Sequence, residues 1–343
     1  MNPNKTTSKN KLSSRAGARA LAGELMAVAM VMALAMGVLT AGNAAAQAYP
    51  AKAITLNSSL APGSSYDVIF RVIQEDWRQR LGKDLVINPV VGGLGTLAPA
   101  SLLRAQPDGY TMAFVFAAPI TLSPQMMSTP PYDPLKDFAP VIQLTRHGLL
   151  YIAAPNAPYN NFNEFIAQAK ANPGKLSVGY AGAGSQVHLL QIASTLGVEF
   201  LGVPYKSSTQ LAPAVMGGET NAGIHTVGAV AELIKSGRIK PLFIASPNRS
   251  AQLPNVPSIS ESHPGLEGGS WFGILAPANT GKDHIEWLNR EFAASMKTDR
   301  VKQQLALSAY DLVAGTPEQF AEVIRKEIPV YTRIVKQYNI KAE

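Results

Sequence analysis

Four short stretches of this chain carry residue types that can hold a small anion. They are "APGSSYD" (61–67), "AAPITLS" (117–123), "GAGSQVH" (182–188) and "YKSSTQ" (205–210). Each follows an apolar run, and three of them lead into a helical pattern. A helix start exposes unpaired backbone N–H groups and partial positive charge, so such a junction suits a carboxylate or a phosphate. The same composition also makes a well-capped turn. What favours the functional reading is their number, because ligands of open α/β sheets collect beyond the carboxyl ends of the strands.

Other chemistries find less support. The chain has no cysteine, which excludes disulfide frameworks, thiolate nucleophiles and Cys-ligated metals. "GLGTLA" (93–98) fits the form of a dinucleotide turn, but the acid such a site wants about 20 residues on is supplied only by Asp108 in the turn "PDGY". It reads as a tight turn, and no cofactor is expected. The five histidines, His147, His188, His225, His263 and His284, contain no i,i+4 pair and no H-E-x-x-H, so no metal site is expected. "GAGSQ" lacks the final glycine of a nucleophile elbow, which leaves a hydrolase as a weaker alternative. Arg146 and His147 are neighbours in an extended run, so alternation places them on opposite faces, and Arg146 can meet either ligand or solvent.

The elements that must position these stretches alternate in type. Strands are expected at 53–59, 85–91, 111–116, 143–155, 176–180, 200–205, 222–226 and 241–246. Helices are expected at 67–81, 162–171, 186–196, 209–216 and 227–236, with a last one opened by Thr316-Pro317-Glu318. Ser64 with Asp67 and Asn161 with Glu164 are N-cap pairs, Ser185 is an N-cap candidate, and Gly197 and Gly237 are stops. This βα alternation predicts an α/β fold of mainly parallel sheets flanked by helices. The run 143–155 is long enough to cross from one domain into another, and "SWFGILAPA" (270–278) can cross back.

The first 48 residues stand apart. Lys5, Lys9, Lys11, Arg15 and Arg19 precede a 15-residue apolar stretch, "AVAMVMALAMGVLTA", and Ala46 and Ala48 are placed for cleavage before Tyr49. The stretch is short for a membrane span of ~20 residues, and no Arg-Arg pair is present, so general secretion is expected. Without this segment the net charge falls from +7 to +3. The basic balance therefore belongs mainly to the export signal, and nucleic acid is not an expected partner. The remaining length suffices for two domains.

A resemblance runs over the whole of the chain after Ala48. "YPAKAITL", "APGSSYDVIFRVI", "PDGYT", "PYDPLKDFAPV", "ANPGKLSVGYAG", "GVPYK", "LPNVPSISE", "SWFGILAPANT" and "GTPEQFAEVIRKE" occur in that order. Together they resemble the solute receptors of tripartite tricarboxylate transporters, the Bug-type receptors. The resemblance implies a periplasmic, non-enzymatic binding protein of the two-domain hinged kind, type II-like. Domain 1 would be 49–149 with 271–343, and domain 2 would be 150–270. It implies capture of a small carboxylate and delivery to membrane permease subunits. The loops it implies as ligand-binding hold Pro62, Gly63, Ser64, Ser65 and Asp67, then Ala117, Ala118 and Thr121, then Gly184, Ser185, Gln186 and His188. Lys206, Ser207, His225 and Thr226 would line the far wall, and His147 stands nearby. Asp67 is assigned to helix capping first, because an acid aimed at a carboxylate repels it.

Departures from the family's pattern bear on the ligand. Ser64 stands where a second glycine is common, His225 where an acid is common, Ser207 where a glycine is common, and His147 where an apolar residue is common. Each adds a donor or removes a negative charge, so a dicarboxylate is expected, either aromatic, such as terephthalate, or aliphatic. A periplasmic sensor acting with a histidine kinase is the alternative role.

Overall fold

The computed structural model describes residues 49–341; the expected export signal and its cleavage site lie outside the described residues. The first half of the order is β1 (Ile54–Ser58), α1 (Ser65–Leu81), β2 (Leu85–Pro89), α2 (Leu97–Ser101), β3 (Thr111–Phe116), a wide π turn (Ala118–Leu122), α3 (Ser123–Met126) and β4 (Phe138–His147). Then come β5 (Leu149–Ala153), α4 (Phe162–Ala171), β6 (Ser177–Ala181), α5 (Ala183–Leu196), β7 (Leu201–Tyr205), α6 (Leu211–Met216), β8 (Ala222–His225), α7 (Val227–Lys235) and β9 (Lys240–Ala245). The chain closes with β10 (Ser270–Pro277), α8 (Lys282–Met296), α9 (Asp299–Ser308), β11 (Asp311–Leu312) and α10 (Pro317–Gln337).

Local chemistry explains the helix ends. The Asn161 side chain accepts from the Glu164 N–H at 3.0 Å and starts α4. Thr316 and Gln319 cap one another reciprocally at the start of α10. Gly82 and Gly197 close α1 and α5 in the left-handed conformation. Strand β5, Leu-Leu-Tyr-Ile-Ala, is buried throughout, as a strand covered on both faces must be.

The strands form two sheets, ordered β11-β4-β10-β3-β1-β2 and β7-β6-β8-β5-β9. The helix-linked strands of each sheet share one direction, as the βα alternation requires. The reversed strands are β10 and β11 in the first sheet and β5 in the second. β5 and β10 are the strands through which the chain enters one sheet from the other. Both sheets belong to one compact unit that begins at Lys52.

The expected long strand at 143–155 is two strands with Gly148 between them. β4 ends at His147, paired with Ser270 at the start of β10. β5 begins two residues later, with Leu149 beside Ala245 and Leu150 beside His225. The crossing is tight. Gly269 has a φ of +133°, and a Cβ there would collide with the His147 carbonyl and lie 3.1 Å from Gly148 Cα.

Packing on the first sheet centres on aromatic rings. Tyr66 lies 4.3 Å from Phe272 and 4.8 Å from Phe114, and its hydroxyl bonds Thr145. In the second sheet Tyr151 stacks on Phe243 at 4.3 Å, with Phe165 beside them.

Candidate functional site

Strand register places the candidate loops side by side. β6 runs parallel to both β7 and β8, with Ala181 opposite Tyr205 and Gly179 opposite Gly223. The turns that follow, at 182–186, 206–208 and 225–226, therefore share one sheet edge. In the first sheet β1 runs parallel to β3, with Ser58 opposite Phe114, so the turns at 60–64 and 117–121 also share an edge. β4 leaves the first sheet at that edge, and β5 enters the second beside the carboxyl end of β8. The two carboxyl edges thus abut at the crossing. Ala118 packs in one cluster with Ala183, Val187 and Leu122, joining the turn after β3 to the first turn of α5.

The first-sheet residues divide by role. Pro62 and Gly63 are exposed and Ser64 is half-buried. Ser64 occupies the N-cap of α1, but its hydroxyl makes no capping bond, contrary to the expected cap pair. Asp67 works in the opposite direction: its Oδ2 accepts from the Gly63 N–H at 3.2 Å and from Arg71 Nη2 at 3.1 Å. Ser65 opens α1. Pro62, Ser64 and Asp67 border a crevice of about 20 Å3 above Phe114. Ala117 is buried. Thr121 is fully buried with its hydroxyl between the Ala117 carbonyl at 3.1 Å and Glu327 Oε2 at 3.2 Å. Thr121 is therefore tied to the protein rather than presented to a ligand.

In the second sheet, α5 begins two residues before Ser185, with Gly182 as its N-cap. Ser185 sits inside the first turn and is not the cap that its spacing suggests. Gly184 is exposed, and Ser185 and Gln186 are half-buried. A Cβ built on Gly63, Gly182 or Gly184 meets nothing within 4 Å, so all three border open space. His188 is a core residue and not a candidate ligand contact. Its Nδ1 accepts from Tyr151 OH at 2.9 Å, and its Nε2 donates to the Leu266 carbonyl at 3.0 Å. Burial pushes its pKa down to about 4.

The far wall is partly engaged. Lys206 and Ser207 are exposed, and Ser207 Oγ bonds Thr209 Oγ1 at 2.7 Å. His225 is buried; its Nε2 donates to the Ser208 carbonyl at 2.9 Å and its Nδ1 accepts from the Thr226 N–H at 3.0 Å. The imidazole pins the turn after β7 to the end of β8, so it does not supply the free donor expected of it. Thr226 is the N-cap of α7, again without a side-chain cap bond.

A cavity of about 390 Å3 lies where β4 and β10 cross, against α10 and α5. Arg146, His147, Glu267, Trp271, Glu327 and Tyr331 line it. Only His147 among these is an expected site residue. Its ring packs 5.6 Å from Phe272 and 5.2 Å from Tyr310, its buried Nδ1 has no partner, and burial followed by the Arg146 charge lowers its pKa to about 4. Glu327 Oε2 accepts from Trp271 Nε1 at 2.9 Å as well as from Thr121. Burial raises its carboxyl to about 7, against the pull of both hydrogen bonds and of Arg146. In the sequence Glu327 is one of several acids in an amphipathic helix, and nothing marks it out.

Among the described residues no group of three or more His, Cys, Asp or Glu is arranged to hold a metal, and no helix is long and apolar enough to cross a membrane. Backbone N–H groups, hydroxyls and the Lys206 ammonium at these edges are groups suited to holding an anion.

Comparisons with known proteins bear on the family and the fold. Residues 69–340 match the family model described as "Tripartite tricarboxylate transporter family receptor". "Protein BugT" of Bordetella pertussis is 31% identical over 311 residues, covering 89% of this chain and 95% of that protein. The solved structure "R. palustris Rpa4515 with adipate" is 26% identical with a TM-score of 0.67, covering 85% of this chain and 99% of that one. "MatC (Rpa3494) from Rhodopseudomonas palustris with bound malate" is 25% identical with a TM-score of 0.64, covering 84% and 100%.

Proposed function

This chain belongs to the tripartite tricarboxylate transporter receptor family, and on that premise we propose that it captures a small aliphatic dicarboxylate between its two sheets and delivers it to membrane permease subunits. The observation that carries the proposal is the crossing at Gly148, which sets the carboxyl edges of both sheets against each other. Five turns rich in small and hydroxyl residues converge there, and three of their glycines border open space. We take 49–149 with 271–343 as one lobe and 150–270 as the other, with residues 1–48 as the signal that sends the protein to the periplasm. Binding without turnover is the role.

The ligand class rests on two supports. Lys206 and Ser207 are exposed, with the Ser207 hydroxyl shared with Thr209, whereas His225 spends both ring nitrogens on the backbone. The related Rpa4515 and MatC were solved with adipate and malate, both aliphatic dicarboxylates. Closure of the lobes would follow from tighter binding to the closed form.

Calorimetry with adipate, malate, succinate, terephthalate and benzoate tests the proposal. Saturable binding of an aliphatic dicarboxylate is expected, and at 100 times its Kd it should stabilise the fold by about 2.7 kcal/mol. Tight benzoate binding with no dicarboxylate binding would refute the charge assignment.

A further inference from the structure

Capture at the carboxyl edges leaves the 390 Å3 cavity at the crossing strands unexplained. Its size falls within the range of about 300–1,000 Å3 usual for small-molecule sites. Arg146 reaches it from the end of β4, half-buried, and its side chain makes no hydrogen bond or ion pair with any described residue. Its charge acts on Glu267, Asp311 and Glu327, yet none of them comes within the 4.0 Å of an ion pair.

The two acids in the cavity wall are served by neutral donors. Glu327 takes Trp271 and Thr121. Glu267 takes Ser260 Oγ at 2.5 Å and the Gly265 N–H at 2.9 Å. The guanidinium, with five donors in a planar fork, thus faces a half-open space with no protein acceptor, and the His147 Nδ1 is a second unpartnered nitrogen in the same lining. An acceptor bound in that space would give it the charge-assisted partner that no described residue provides. Trp271 stands beside Arg146 in the β4–β10 register, and Val323 and Val330 of α10 add apolar lining; Lys326, on the same helix, pairs with Glu322.

We infer that this cavity is a second binding site, for a small monocarboxylate whose carboxylate pairs with Arg146 and whose hydrocarbon lies on Trp271, Val323 and Val330. The two acids in the same walls disfavour a second negative charge on the occupant. That separates this class from the dicarboxylate proposed for the turns. The inference stands whether or not the turns bind their ligand.

Hexanoate is a suitable probe, titrated into the full protein while tryptophan fluorescence and heat are recorded. Saturable binding is expected, with a fluorescence change that disappears in Trp271→Phe and an affinity about tenfold lower in Arg146→Gln, or ~1.4 kcal/mol. Arg146→Lys should recover part of that loss, and adipate should not displace hexanoate. The wild-type protein alone also decides the matter through 1-hexanol, which has the same chain without the carboxylate and should bind at least about tenfold more weakly. Absence of saturation at millimolar hexanoate, equal binding of 1-hexanol, or displacement by adipate would overturn the site.

Discussion

Glu327 and Trp271 meet across 56 residues of chain through a 2.9 Å hydrogen bond from the indole Nε1–H to the carboxylate. The same oxygen lies 3.2 Å from the Thr121 hydroxyl. One carboxylate on α10 therefore ties the turn after β3 to the strand on which the chain returns to the first sheet.

This carboxyl should make stability fall as pH rises through neutrality. Burial raises it from 4.5 to about 7 in the folded state. Between those values the folded protein binds more proton than the unfolded chain, so stability is present at the acid end and lost as pH climbs to 7. The loss is on the order of 3 kcal/mol. Glu327→Gln keeps an acceptor for Trp271 and does not titrate. Thermal unfolding from pH 5 to 8 should show a shallower decline in this variant, and parallel curves would disprove the assignment.

Two histidines should act in the opposite sense on the acid side. His188 and His147 are each held at about 4 from 6.5, chiefly by burial. Their neutral forms contribute stability that is complete above pH 6.5 and lost as pH falls through 4, by about 3 kcal/mol each. At pH 7 their replacements should diverge. His188→Phe strands the Tyr151 hydroxyl and the Leu266 carbonyl and should cost about 2–4 kcal/mol. His147→Phe keeps an aromatic ring against Phe272 and Tyr310 and removes the orphaned Nδ1; it should be neutral or stabilising by ~1 kcal/mol. Denaturant titrations at pH 7 and pH 5 check both. A costly His147→Phe would mean that the imidazole has a role the packing does not reveal.

Periodicity and caps made the helix-linked strands, the crossing near 143–155 and six of the helices readable in the sequence, whereas α8 and α9 were not among the expected helices. The reversed strands were not, because β5 and β10 have the same apolar composition as their neighbours and only the direction of chain entry distinguishes them. Site residues were readable as turns but not as free groups. His188 and His225 lie beside the right turns, yet each spends both ring nitrogens on partners 17 or more residues away or on the local backbone. Glu327 finds Thr121 206 residues back in the chain, a distance at which no spacing rule operates.

Two glycines separate packing from ligand contact. A Cβ at Gly268 would sit 2.5 Å from His188 Cγ, and the ring cannot yield because both nitrogens are bonded. Gly268→Ala should cost roughly 1–3 kcal/mol. Gly184→Ala puts its methyl into open space within α5, where alanine gains roughly 0.5–1 kcal/mol of helix propensity over glycine. It should hold or raise the melting temperature while weakening dicarboxylate binding, if the proposed ligand occupies that open space. Unchanged adipate affinity in Gly184→Ala would remove the first turn of α5 from the site.

Lys206 should distinguish a doubly charged ligand from a singly charged one. It is the exposed cation among the candidate residues, standing after β7 in line with Gly182 across the β6–β7 register. An exposed ammonium near a dianion contributes modestly and is screened by salt, with a Debye length of about 8 Å at physiological ionic strength. Lys206→Ala should therefore weaken adipate by up to about 1 kcal/mol at low salt, an effect that shrinks as salt is added. A monocarboxylate held at the same turns should lose less, because one charge placed at the α1 and α5 starts leaves nothing opposite Lys206. Asp67→Asn supplies the control: it keeps an oxygen for the Gly63 N–H while weakening the Arg71 pair, so it should leave the salt dependence of binding largely intact. Calorimetry of the three proteins at two salt concentrations reads the difference. Equal losses for mono- and dicarboxylates in Lys206→Ala would show that this side of the site recognises something other than a second carboxylate.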